Sequence, residues 1–177
     1  MTILKQKIEK ALPVLGADLG EKNTMAIPRL LKVVINSGIG KAKDKKRNEI
    51  VADRLSKITG QKTAPRGAKK SIASFKVREG DIIGYAVTLR GQKMFDFLDM
   101  LLGVAIPRIR DFKGYDEKSV DEMGNLTIAI KEHIVFPQTA DEEIRDVFGF
   151  SVTLVTTAKN REDAVKFFKA IGFPFKK

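Results

Sequence analysis

The segment Asn36-Ser37-Gly38-Ile39-Gly40-Lys41 has the look of a phosphate-cradling loop, and it is the first place to seek chemistry. It fails both nucleotide-binding templates. A P-loop needs Gly where Ile35 stands and Ser or Thr where Ala42 stands, and the dinucleotide fingerprint needs Gly at Lys43. The plainer reading is a glycine turn leading toward a basic helix, whose backbone amides could still approach a phosphate. Carboxylates cluster at Asp116, Glu117, Asp121 and Glu122, and again at Asp141, Glu142, Glu143 and Asp146. Neither group has calcium-loop spacing, and solvated loop and helix faces account for both. His133 is the only histidine and cysteine is absent, so metal and thiolate chemistry lack ligands. A surface or hydrogen-bonded core position is expected for His133. No catalytic residue, metal site or cofactor is expected.

The basic residues carry more information, because their charge coincides with a sheet pattern. Residues 1–93 hold 21 basic and 8 acidic side chains, whereas residues 94–177 hold 12 and 14, within a total formal charge of +11. That imbalance suits a polyanion. Alternation in Leu31 to Asn36 puts Val33 and Ile35 on one side and Lys32, Val34 and Asn36 on the other. In Tyr85 to Arg90 the same rule separates Tyr85, Val87 and Leu89 from Ala86, Thr88 and Arg90. If the two strands share a sheet, Lys32, Asn36, Thr88 and Arg90 gather on its polar side as donors for phosphate, 2′-hydroxyl and base edge. Of 11 Phe and 2 Tyr, only Phe75 and Tyr85 lie in this half, so base-stacking platforms are scarce. Folded RNA recognised by shape, backbone and a few base edges is the expectation.

The elements that must position these residues read as follows. Thr2 to Asp18 is an amphipathic helix containing Pro13 and ending at Gly20; Leu31 to Asn36 is a strand; and a helix runs from an Asp44 N-cap to Gly60. Gln61 to Ala73 is extended and basic. Ser74 to Ile83 is a mobile, exposed hairpin tip around Arg78-Glu79-Gly80-Asp81. Gly84 to Gly91 is a strand, and Gln92 to Ile106 is a buried helix stopped by Pro107. After a long connection, Leu126 to Phe136 and Phe148 to Thr157 are strands flanking the acidic Asp141 to Asp146 stretch, and Asn160 caps a last helix over Arg161 to Ile171. This order predicts an α+β fold, a mainly antiparallel sheet flanked by helices, in one domain spanning residues 1–177, basic over about 25–93 and more acidic over about 94–177. The chain has neither a signal-peptide core nor a membrane span, and its lack of cysteine suits a reducing cytoplasm.

Several segments resemble the bacterial-type large-subunit ribosomal protein five family: Ile58-Thr-Gly-Gln-Lys62, Ala68-Lys-Lys-Ser-Ile-Ala-Ser-Phe-Lys76, Arg78-Glu-Gly80, Val87-Thr-Leu-Arg-Gly91, Phe95-Asp-Phe-Leu-Asp99, Pro107-Arg-Ile-Arg-Asp-Phe112, Thr156-Thr-Ala-Lys159 and Ala170-Ile-Gly-Phe-Pro-Phe175. The resemblance runs from about Met25 to Phe175. It implies a structural constituent of the large ribosomal subunit, located in the ribosome, that binds 5S ribosomal RNA in the central protuberance beside large-subunit ribosomal RNA and neighbouring large-subunit proteins. It also implies contact with peptidyl-site tRNA and a bridge to the small-subunit protein numbered thirteen. Carried over by position, the family's 5S-binding residues match Lys32, Asn36, Gln61, Thr88 and Arg90. The tRNA-facing loop corresponds to Ser74 through Ile83, with Lys76, Val77, Arg78, Glu79, Gly80 and Asp81 at its tip. The chain departs from the family pattern at Ser37 (commonly Met), at Ile82 (usually Pro) and at His133 (often Gln).

Overall fold

Burial follows the two-residue period of an extended chain. In β1 (Leu30–Gly38) Val33, Ile35 and Ser37 are buried while Asn36 is exposed and Lys32 and Val34 are half-buried. In β3 (Ile82–Leu89) Tyr85, Val87 and Leu89 are buried, as the alternation predicts. Ala86, expected on the polar side, is buried as well.

The computed structural model describes residues 3–20, 23, 25–40, 45–139 and 147–176. The remaining elements are α1 (Ile3–Leu19), α2 (Lys45–Thr59), β2 (Ala64–Gly67), α3 (Gly91–Met100), β4 (Leu126–Ile130), β5 (Phe150–Thr156) and α4 (Arg161–Ala170). The strands form one five-stranded antiparallel sheet in the order β2-β3-β1-β5-β4, which confirms the α+β class. The expected Asp44 cap and the acidic stretch from Asp141 to Asp146 lie outside the described residues.

Several boundaries differ from expectation. Within the extended basic segment, β2 pairs antiparallel with β3, Ala64 opposite Ala86 and Arg66 opposite Gly84. Pro65 is tolerated there because β2 is an edge strand, where a missing N–H breaks no ladder on the outer side. Pro107 does not stop the preceding helix: α3 continues as a π turn (Leu101–Ala105) and a 3-10 turn (Ile106–Arg108) that contains the proline. A ring at the start of a short turn displaces no essential N–H. Nor is this helix buried all round, since Gln92, Lys93 and Asp96 are exposed. The strand expected over Leu126 to Phe136 ends at Ile130, and His133 to Val135 is a 3-10 turn. Asn160 sits at the cap position of α4, but its side chain makes no capping bond.

The described chain falls into two compact units. The first comprises Met1–Val33, Leu89–Ile128 and Thr153–Lys177. Helix α1 packs against both α3 and α4, and Leu4, Leu15, Phe97, Leu98, Phe167 and Phe168 of these helices are all buried. The N-terminus of α1 is held by Asp99, whose carboxylate accepts from the Leu4 N–H at 2.7 Å. The connection from Arg108 to Asn125 is also tied down there. The Tyr115 N–H donates to the Pro174 carbonyl (2.9 Å) and the Lys176 N–H to the Tyr115 carbonyl (2.8 Å), around Gly114 at φ +89°.

The second unit comprises Val34–Thr88 and Ala129–Val152. Its centre is α2, with Val51, Leu55 and Ile58 buried. His133, fully buried, stacks on Phe148 at 4.4 Å, and its Nε2 lies 3.2 Å from Arg54 Nη1. A guanidinium has only donors, so Nε2 accepts. The single histidine is therefore a packed core group, one of the two positions expected for it.

Candidate RNA-binding surface

The register of β1 and β3 decides which polar side chains meet. The Ile39 N–H donates to the Ile83 carbonyl at 2.8 Å, and a Cβ on Gly84 would stand 2.8 Å from the Ser37 carbonyl oxygen. Carried along the antiparallel pair, this register sets Val33 opposite Leu89, Ile35 opposite Val87 and Ser37 opposite Tyr85. All six are buried, so the register agrees with the burial. On the other side of the strands it sets Lys32 opposite Arg90 in the first unit. In the second unit it sets Val34 opposite Thr88 and Asn36 opposite Ala86.

Each of these side chains is positioned by its backbone. Arg90 occupies the cap position of α3 in extended conformation, φ −139° and ψ 164°, and Gly91 at φ +58° then turns the chain into the helix. Gln61 follows α2 after the single residue Gly60. There the Thr59 hydroxyl donates to the Leu55 carbonyl at 2.7 Å, its oxygen lies 3.1 Å from the Gln61 carbonyl oxygen, and Gly60 adopts φ +62°. The Gln61 amide then donates from Nε2 to the Thr88 carbonyl at 3.3 Å. Gln61, which strand alternation could not find, thus joins Thr88 through the end of α2. Asn36 is fixed through its backbone, the Ser151 hydroxyl donating to its carbonyl at 3.3 Å.

The polar side is chemically unspent. Among the described residues, no hydrogen bond or ion pair engages the Lys32 ammonium, the Asn36 amide, the Thr88 hydroxyl or the Arg90 guanidinium. Buried Ser37 behaves differently, its hydroxyl donating to the Gly149 carbonyl at 2.9 Å. The free groups are cationic or amide and hydroxyl in type, suited to phosphate oxygens, 2′-hydroxyls and base edges. Three of the carboxylates considered for catalysis, Asp116, Glu117 and Asp121, are engaged structurally. Asp116 accepts from the Lys118 N–H (3.0 Å), Asp121 from the Asn125 N–H (2.7 Å) and side-chain amide (3.0 Å), and Glu117 pairs with Lys169 at 2.6 Å. No group of three or more potential metal ligands occurs among the described residues.

The Lys76 to Asp81 segment is exposed save for half-buried Val77, as expected, and it is hydrogen-bonded. Ile72 and Val77 exchange both backbone bonds, at 3.0 and 3.3 Å, and Lys76 takes the left-handed conformation at φ 52°. The Asp81 carboxylate accepts from the Arg78 N–H at 2.8 Å, and the Ser71 hydroxyl accepts from the Glu79 N–H at 2.9 Å. Sequence reasoning missed the apolar side chains beside this tip: Ile72 is 46% and Phe75 71% exposed. The available signal was two large apolar residues set between Lys69, Lys70 and Lys76 with no strand or helix period to bury them.

Comparison with known proteins places these features in one family. Residues 23–78 match the family model described as ribosomal protein L5, and residues 82–175 match the model for the C-terminus of that ribosomal family. The chain is 47% identical over 170 residues to the large ribosomal subunit protein uL5 of Mesoplasma florum, covering 96% of this chain and 94% of that one. It is 49% identical over 163 residues to that of Trichlorobacter lovleyi (92% and 91% covered), and 45% identical over 177 residues to that of Halothermothrix orenii (99% of each). With the fold and an unpaired polar strand face already in view, these matches show that the chain belongs to the large ribosomal subunit protein uL5 family and is a structural constituent of the ribosome.

Proposed function

We propose that the chain binds 5S ribosomal RNA through Lys32, Asn36, Gln61, Thr88 and Arg90 and anchors it in the central protuberance, acting architecturally and without catalysis. The observation that carries this reading is the set of unpaired polar side chains on the non-core side of β1 and β3. Such groups cost nothing in water and form strong bonds when a folded RNA displaces it. Lys76 to Asp81 face peptidyl-site tRNA, where Lys76 and Arg78 meet the sugar-phosphate backbone without reading sequence. A further contact reaches the small-subunit protein numbered thirteen.

The test is binding of the purified chain to 5S RNA and to an unrelated hairpin of equal length at moderate salt. Preference for 5S RNA, falling steeply as salt rises, is the expected result. Equal affinity for both would overturn the proposal. For the loop, Lys76→Ala with Arg78→Ala leaves 5S affinity nearly intact and lowers peptidyl-site tRNA retention in assembled ribosomes. Unchanged retention would remove tRNA from its partners.

A further inference from the structure

In the second unit, β2 sets a third strand beside the polar side of β1 and β3. It is exposed throughout, so burial shows no alternation along it and only the register assigns its side chains to a face. Ala64 stands opposite Ala86, and Arg66 opposite Gly84. Residues directly opposite one another project to the same side of a sheet, so Ala64 and Arg66 share the side of β3 that carries Thr88. Through Ala86, which lies opposite Asn36, that is also the side of the Asn36 amide. The pairing slips between Arg66 and Gly67, which makes Arg66 the last side chain that the regular ladder holds there. A slip one residue earlier would have turned it to the core side.

We propose that Arg66 carries the RNA-binding face onto β2, its guanidinium gripping a phosphate of the strand whose base edges meet Asn36. The inference rests on the assignment of Asn36, Gln61 and Thr88 to 5S RNA. Arg66 is exposed, and no hydrogen bond or ion pair engages its guanidinium among the described residues. Asp81, in the β2–β3 connection, turns its carboxylate to the Arg78 N–H instead. The close approach of β1 requires Gly84, where a Cβ would stand 2.8 Å from the Ser37 carbonyl oxygen, and the adjoining row is Ala64 and Ala86. Between Arg66 and Asn36 the floor is therefore bare backbone and methyl groups. Strands lie about 4.8 Å apart, so β2 and β1 are separated by about 10 Å, and one RNA strand crossing β3 meets both side chains. Neither row carries a large apolar side chain to anchor a peptide, whereas a flat floor flanked by an amide and a guanidinium suits a sugar-phosphate strand. The planar fork of arginine matches two phosphate oxygens at once. A charge on an edge strand also discourages pairing with another sheet, but that role makes no demand on RNA affinity.

The full chain is titrated with 5S RNA, and with the unrelated hairpin, over a range of salt. Arg66→Ala should weaken 5S binding roughly tenfold, lower the salt slope by about one and leave the denaturation midpoint unchanged. Arg66→Lys keeps the charge without the fork and should recover part of the loss. Lys7→Ala removes an exposed charge from α1 and should cost less than Arg66→Ala. In phosphate-ethylation interference, a 5S phosphate whose ethylation impairs binding of the unaltered chain should become indifferent with Arg66→Ala. Undiminished 5S affinity for Arg66→Ala, a loss no larger than that from Lys7→Ala, or an unaltered interference pattern would each overturn the proposal and leave Arg66 as a guard of the sheet edge. Equal affinity of the unaltered chain for 5S RNA and the hairpin would instead remove the RNA assignment beneath it, a result visible before any variant is measured.

Discussion

Two stretches of this chain use polar side chains in opposite ways. Along β1 and β3, Lys32, Asn36, Thr88 and Arg90 end in unpaired groups. Between Tyr115 and Asn125, comparable chemistry is engaged within the chain: Asp116 closes a turn, Asp121 holds Asn125, and Glu117 reaches Lys169 on α4. The Arg161 guanidinium adds a bond to the Glu117 carbonyl at 2.9 Å. The difference separates side chains that the fold leaves unbonded from side chains that hold it together. Carboxylates spent on backbone amides fix a long connection, whereas cations and amides with no internal bond contribute little to stability and remain available.

If that division is right, substitutions should split cleanly between stability and RNA affinity. The largest effect belongs to Gly114→Ala. A Cβ there would lie 2.8 Å from both the Phe175 carbonyl carbon and the Lys176 nitrogen, at φ +89°. Backbone strain and overpacking together should cost roughly 3 kcal/mol or more, read as a lower denaturation midpoint. Affinity of the remaining folded protein for 5S RNA should be unchanged. Arg90→Ala should show the reverse: no stability change, and a loss of about 1.5–3 kcal/mol in 5S binding with a shallower salt slope in titrations. Asn36→Ala and Thr88→Ala should follow at about 1 kcal/mol each in binding, again at constant stability. A drop in melting temperature for these three would show that their side chains serve the fold.

Tyr115 sharpens the structural side. Burial raises the pKa of its phenol above the ordinary 10.0, and the buried hydroxyl has no hydrogen-bond partner. The folded chain therefore keeps this proton to higher pH than the unfolded chain does. The resulting stability is present below pH 10.0 and is lost as pH rises through the folded-state value. Tyr115→Phe should flatten the alkaline limb of stability against pH and shift neutral-pH stability by no more than about 1 kcal/mol. The smallest effect is Lys169→Ala. Its pair with Glu117 is about half exposed, so denaturant titration should register less than about 0.5 kcal/mol, with RNA affinity unaltered.

The sequence alone determined what depends on near neighbours. Strand alternation picked out Val33, Ile35, Val87 and Leu89 as core and Lys32, Asn36, Thr88 and Arg90 as the polar side, because a period of two is written into consecutive residues. Family motifs added Gln61, which lies on neither strand. The glycines after α1 and α2 marked helix ends, as the left-handed conformations of Gly20 and Gly60 confirm. Tertiary structure decided the rest. Pro65 could join a strand only because its strand is at the sheet edge, and Pro107 could follow a helix because the chain passes through a π turn first. His133 became core because Phe148 and Arg54, far away in sequence, close around it. A groove beside Phe75 arises where α2, the end of β1 and the β2–β3 connection meet. Such outcomes turn on contacts between residues tens of positions apart, and no local period encodes which distant side chain will fill or leave open a given space.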